Sequence, residues 1–515
     1  MKRLCALVLA LLCLLAACGK PAGKAEPPKP PAIRALEVTY RAAQLTALED
    51  AEPWGRYWVE PDTVYADLTH SPGLAWSLVV GESTTFPGGL PEGYDLQALV
   101  EWGKDPGLNV DILHAHGFTG KGAVIAYIDQ PALPHPEYDR ENIHRDYTGD
   151  YPLSMHGPAV LSLLAGEHIG VAPEAEVWFF GVDSGVGDAQ LREADALYRV
   201  IALNETLPEG EKITMVGFSD NIDSSEAYVE EFRAAAQACA QAGIMVWFCG
   251  ENGAATFLPL AEKNDPDNLM VDQWGGGRPS LVYVPSSGRT VASVFDNTEY
   301  IYYSTGGLSW TMPYTMGLYA IALTIDPTLT QKELRELITG TARSWNEGKR
   351  LVDPVAFVAA VLERAGRETE AEELRGEVRA RERYLYAAVD MTAIPKGEQT
   401  AIYNALAWVT EAKVMVADAS RFADAEALYA AIREDARARG GVIAGIQLFG
   451  DVPAPEGDTL PVWQLDLEPG EYGTFFQEYL EAARAGEPDT LEAGVLFPLN
   501  RAAMTLSEAE GNLGG

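Results

Sequence analysis

Residues Ala123 to Ile128 form an unbroken apolar run, Ala-Val-Ile-Ala-Tyr-Ile, and the next residue is a carboxylate, Asp129. A run this short, fenced by Gly120 and Gly122 before it and Pro131 after it, reads as a strand buried on both faces. Such strands belong to parallel sheets held between helices. The following segments alternate accordingly. Val177 to Val182, Ile213 to Phe218 and Ile244 to Cys249 have strand character, whereas Pro158 to Ala165, Ala189 to Leu203, Ser225 to Ala242 and Gly317 to Leu323 have helical spacing. The expected architecture is α/β, a parallel sheet flanked by helices on both faces.

The chain has 515 residues, too many for one hydrophobic core. The segment 96–350 carries the alternating pattern. Residues 36–95 are mixed and aromatic, and read as an N-terminal extension. From 351 to 515 the composition shifts. Arg/Glu-rich amphipathic helices over Val355–Ala365 and Glu368–Tyr386 lead into a strand (Lys413 to Ala417), a helix (Ala423 to Arg439) and a strand (Val442 to Phe449). That end is expected to be an accessory module with helical and α/β parts, containing one βαβ unit.

The first residues read as a targeting segment. Lys2 and Arg3 precede an apolar stretch, Leu4 to Leu15, too short to span a bilayer as a helix. It ends in Leu15-Ala16-Ala17-Cys18-Gly19, which resembles the lipobox of bacterial lipoproteins. The resemblance implies a signal peptide over 1–17, lipid attachment at Cys18 and a Pro-rich tether over 18–35. It also implies an extracytoplasmic protein held on a membrane by its acyl chains. The formal net charge of −37 argues against nucleic acid as a partner, because phosphates would be repelled.

Three segments carry the candidate chemistry. Asp129 ends the buried strand, at the edge of a parallel sheet where crevices form. His156-Gly157-Pro158-Ala159-Val160 opens an apolar helix. Gly306-Gly307-Leu308-Ser309-Trp310-Thr311-Met312-Pro313 places a serine at the start of another helix, whose N-terminal amides favour negative charge. In this order the three blocks resemble the subtilase family of serine peptidases, over residues 100–345. Gly170-Val171-Ala172-Pro173 and Thr290-Val291-Ala292-Ser293-Val294 are similar to further blocks of that family.

The resemblance implies a subtilisin-like fold and an endopeptidase acting on protein or peptide substrates through an acyl-enzyme. Ser309 is then the nucleophile, His156 the general base and Asp129 the group that orients His156. The family places an oxyanion-hole Asn after an apolar strand. Here that strand is followed by Gly250-Glu251-Asn252-Gly253. A gapless alignment puts Glu251 at the family position, and a shift of one brings in Asn252, the residue expected to serve. The strand Met215-Val216-Gly217-Phe218-Ser219 aligns with the one that pairs with substrate, which makes Val216, Gly217 and Phe218 candidate substrate-binding residues. Its bland reading is a core strand.

Gln130-Pro131 and Trp310-Thr311 stand where the family has small residues, and with Glu251 they motivate a second expectation, a catalytically weak or inactive peptide-binding scaffold of the same fold. A third places the function in the C-terminal region. No cofactor is expected. No Cys/His cluster has metal-ligand spacing, and no acidic loop marks a structural calcium site. Cys239 and Cys249 are expected as buried small hydrophobes.

Overall fold

The computed structural model describes residues 33–35, 67–70, 75–147, 154–182, 188–220, 227–272, 281–294, 298–346, 348–381, 383–390, 392, 394–399, 413–439, 442–453, 462–475 and 478. Cys18, the signal segment and most of the tether and extension lie outside them.

In chain order the N-terminal elements are β1 (Ile33–Ala35), β2 (Val80–Gly81), α1 (Leu96–Lys104) and α2 (Val110–Ala115). The alternating segment follows as β3 (Val124–Asp129), β4 (Ile143–Tyr147), α3 (His156–Ala165), β5 (Glu176–Gly181), α4 (Ala189–Thr206), β6 (Met215–Phe218), α5 (Val229–Gln241) and β7 (Met245–Phe248). The five strands form one sheet in the order β4-β5-β3-β6-β7, parallel throughout. All six residues of β3 are buried, as its apolar run requires. Their side chains alternate. Ile125 and Tyr127 face a core shared with α3, whereas Val124, Ala126 and Ile128 face one shared with α4 and α5. Helices therefore cover both faces. The connection β4–α3–β5 runs over one face and β5–α4–β6 over the other, so the chain changes face around β3. The carboxyl end of the strand at such a change is where an open sheet leaves a crevice.

After β7 a short 3₁₀ turn, Cys249–Glu251, carries the chain into a second sheet. To it belong β8 (Asn252–Phe257), β9 (Leu269–Val271) and β10 (Val282–Ser287), joined by a later hairpin, whereas β11 (Arg289–Ala292) pairs with β12 (Tyr300–Tyr303) and β12 with β2 in a separate three-stranded sheet. Next come α6 (Thr311–Ile325), α7 (Gln331–Thr341), the hairpin β13 (Arg343–Trp345) and β14 (Lys349–Leu351), and helices α8 (Pro354–Arg364) and α9 (Glu368–Arg381). Cys239 and Cys249 are buried. Burial pushes the Cys239 thiol up to about 12, so it sits as an inert apolar group.

Two expectations about the C-terminal part need correction. Phe357, Val358 and Leu362 of α8 and Ala371 and Leu374 of α9 belong to the same core as Tyr319 of α6. The central module therefore runs to Arg381, not 350, because two amphipathic helices can bury their stripes on a neighbouring core as well as on one of their own. Residues 383–389 are also not helical. They form β15 (Arg383–Val389), where the aromatic and branched residues Tyr384, Leu385, Tyr386 and Val389 favour a strand once the Arg/Glu periodicity ends. With β16 (Lys413–Asp418), α10 (Ala425–Arg439), β17 (Val442–Phe449) and β18 (Val462–Leu465), β15 makes a separate sheet of order β1-β16-β15-β17-β18. The expected unit over β16–α10–β17 exists, but β15 lies between its two strands.

Candidate active site

β3 delivers Asp129 to the carboxyl edge of the sheet, and α3 starts beside it. Asp129 Oδ1 accepts hydrogen bonds from the Gln130 amide at 2.7 Å and from His156 Nδ1 at 2.6 Å. The carboxylate is nearly enclosed and the imidazole keeps about a quarter of its surface open, with side-chain exposures of 4% and 26%. A carboxylate that accepts at Nδ1 fixes the proton there and leaves the Nε2 lone pair free. Burial pulls the His156 pKa down, while the Asp129 charge, its hydrogen bond and the Asp220 charge pull it up. The acidic groups prevail, so His156 titrates above the ordinary histidine value.

Gly157 explains how the helix comes so close to the strand end. A Cβ there would lie 2.0 Å from the Gln130 carbonyl oxygen and 2.7 Å from the Pro131 carbonyl carbon. Gln130-Pro131 is thus the floor against which the His156 turn rests. Gly157→Ala is expected to push α3 off this floor, with a stability loss of about 1–3 kcal/mol from overpacking. Thermal unfolding reads that loss, and His156 moves away from Asp129 with the helix.

Ser309 lies in a 3₁₀ turn, Leu308–Trp310, that leads directly into α6. The turn packs against α3, against the Cys249–Glu251 turn and against β8 and β10. Gly307 holds φ 74° and ψ −175°, a backbone state essentially restricted to glycine. Trp310 points inward. Its ring is buried, stands edge-on to Tyr303 at 5.2 Å, and occupies the space that a Cβ on Gly306 would need. The bulky residue after Ser309 is therefore a core side chain, accommodated by a glycine four residues earlier. Among the described residues no hydrogen bond joins His156 Nε2 to Ser309 Oγ.

Glu251 and Asn252 point to different partners. Both Glu251 oxygens accept from Arg335 of α7, at 2.6 and 2.7 Å, and the Arg335 guanidinium lies over the Trp247 ring at 4.9 Å. Asn252 is buried and its Nδ2 donates to Thr315 Oγ1 at 3.1 Å, on the helix that follows Ser309. Thr315 in turn donates to the Thr311 carbonyl. Sequence reading missed Thr315, because nothing local to it signals a partner 63 residues away.

Val216, Gly217 and Phe218 are not free to pair with a substrate. β6 is bonded to β3 on one side and to β7 on the other, and its four residues are buried. Both edges of the strand are taken, so the expectation fails and the core-strand reading holds. The first residue past this pairing is Ser219, whose hydroxyl meets Tyr127 Oη at 2.6 Å. Among the described residues no group of three or more His, Cys, Asp or Glu is placed to hold a metal ion. No helix among them is long and apolar enough to cross a membrane.

No family profile and no curated protein matches the chain. Among solved structures it is similar to a protease from Pseudoalteromonas arctica, at 17% identity and a TM-score of 0.37, covering 51% of this chain and 95% of that one. It is similar to the MycP3 protease of the type VII (ESX-3) secretion system, at 20% identity and a TM-score of 0.35, with 50% and 89% covered. It is also similar to a cold-adapted subtilisin-like serine proteinase, at 18% identity and a TM-score of 0.32, with 45% and 89% covered.

Proposed function

We propose that the chain is a serine endopeptidase of the subtilisin-like kind, with Asp129, His156 and Ser309 as its triad. The observation that carries this reading is the Asp129–His156 hydrogen bond, made by groups 27 residues apart, beside the turn that bears Ser309 at the head of a helix. His156 Nε2 takes the Ser309 proton as Oγ attacks the scissile carbonyl, then returns it to the leaving amine. The acyl-enzyme is hydrolysed by the same relay in reverse. The N-terminal end of α6 and the Ser309 amide favour the negative charge that develops on the carbonyl oxygen. Lipid attachment at Cys18 would place this chemistry on the outer face of a bacterial membrane, and globomycin treatment, which blocks lipoprotein processing, tests it through accumulation of the unprocessed form.

Asn252 is the side-chain donor in this reading, since its amide group carries two protons and Thr315 takes one. Asn252→Ala is expected to lower kcat by about 10²–10³-fold, the loss known for subtilisin's own oxyanion asparagine. Glu251→Gln, at an exposed ion pair, should change it by no more than about threefold. Steady-state cleavage of denatured casein reads both. An equal loss in the two variants, or none in Asn252→Ala, would remove Asn252 from the site.

The missing bond between His156 and Ser309 favours a second reading, a peptide-binding scaffold without turnover. A fluorophosphonate probe separates the two. Labelling of Ser309 supports the peptidase; a folded protein that takes no label supports the scaffold. Such bonds are often long before substrate binds, which is why the peptidase reading is preferred.

A further inference from the structure

Beneath the Ser309 loop runs a buried chain of three polar groups that the triad does not use. The Gly306 amide donates to Ser287 Oγ at 2.8 Å. Ser287 Oγ donates to Asp272 Oδ2 at 2.6 Å, and Thr256 Oγ1 donates to the same oxygen at 2.7 Å. Ser287 is completely buried and Asp272 nearly so. The strands bring them together. Thr256 on β8 lies opposite Ser287 on β10, where a register shift after Pro285 re-aims the β10 side chains, and Asp272 follows β9, the antiparallel neighbour of β8.

A serine hydroxyl has one proton. Because a carboxylate only accepts, that proton is committed to Asp272, and the Ser287 lone pairs turn to the Gly306 amide. Gly306 is three residues before Ser309. Its backbone is wedged between the Ser286 carbonyl oxygen, 2.3 Å from where a Cβ would stand, and the Trp310 ring. From this fixed point the chain passes through the left-handed Gly307 into the turn that orients both the hydroxyl and the amide of Ser309.

We propose that Asp272 is a positioning residue for the nucleophile, acting through Ser287 on the Gly306 amide. The proposal rests on the peptidase reading of Ser309. Without Asp272 the Ser287 hydroxyl turns toward another acceptor, Ser286 Oγ being 3.4 Å away, and the Gly306 amide faces a hydroxyl of unfixed direction. The loop loses its anchor while the substrate cleft is untouched.

The test uses the full chain and five variants, with saturation kinetics of fluorophosphonate labelling. Asp272→Ala and Ser287→Ala are each expected to lower the maximal labelling rate by about 10²-fold, the scale of a 1 Å misplacement, with the probe's half-saturation constant unchanged. The double variant should be no worse than either single one, since both break one chain. Thr256→Val removes the half-buried hydrogen bond to the same Asp272 oxygen but leaves the chain to Gly306 whole, and should stay within about threefold. Ser287→Thr keeps a hydroxyl and should recover most of the rate. Equal losses in Thr256→Val and Asp272→Ala, or a wild-type rate in both alanine variants, overturn the proposal. Should Asp272→Ala fail to fold, Ser287→Ala carries the test. Exchange of the Gly306 amide, expected to quicken about tenfold in both alanine variants, gives a readout independent of activity. A wild-type protein that takes no probe refutes the peptidase reading, and the exchange rates then decide the coupling: unchanged exchange overturns it.

Discussion

His156→Ala and Ser309→Ala should each lower kcat by about 10⁶-fold, and the double variant should lose scarcely more than either alone. The magnitude is that known for the corresponding groups of subtilisin itself. The physical reason is that, in the peptidase reading, the two side chains perform one event. A serine hydroxyl near its ordinary pKa is a poor nucleophile, and an imidazole without a hydroxyl beside it has no proton to move. The residual rate would come from the helix N-terminus and the oxyanion donors alone. Casein cleavage, with fluorophosphonate labelling as the second readout, measures it. Losses below about tenfold in both variants would show that neither group takes part in the reaction.

The second large effect couples rate to pH. In the peptidase reading only neutral His156 can accept the Ser309 proton, so kcat/KM should fall as the pH drops through the His156 pKa. The Asp129 charge and hydrogen bond raise that pKa above the ordinary histidine value against the pull of burial. The acid limb of the profile should therefore sit above about pH 6.5. In Asp129→Asn the raising effect of the charge is gone and the lowering effect of burial remains, so the limb moves to lower pH. The plateau should drop by about 10⁴-fold, because an amide no longer enforces the tautomer with its proton on Nδ1. A plateau loss without the acid shift would mean that Asp129 supports the fold rather than the imidazole.

Much of this geometry was legible in the residues. Ala123–Ile128 announced a strand buried on both sides, and its carboxyl end carries Asp129. His156 and Ser309 each stand at a helix start, and both helices are there. The partners of Glu251 and Asn252 were not legible. The two are adjacent in sequence, and what separates them is Arg335, on a helix 84 residues further along, which engages both oxygens of Glu251. Trp310 stands where the resemblance calls for a small residue. It is a core side chain because Gly306 leaves room for it.

The sequence by itself determined the alternating strands and helices, and the chemistry that each strand end and helix start could offer. Local periodicity and burial pattern suffice for that, since they depend on neighbours a few residues away. Tertiary structure alone decided that β6 is bonded on both edges and closed to substrate, and that α8 and α9 belong to the central core. It also brought Asp272, Ser287 and Gly306 into one line beneath Ser309. Those outcomes depend on which strand lies beside which, a matter settled by packing among segments far apart along the chain.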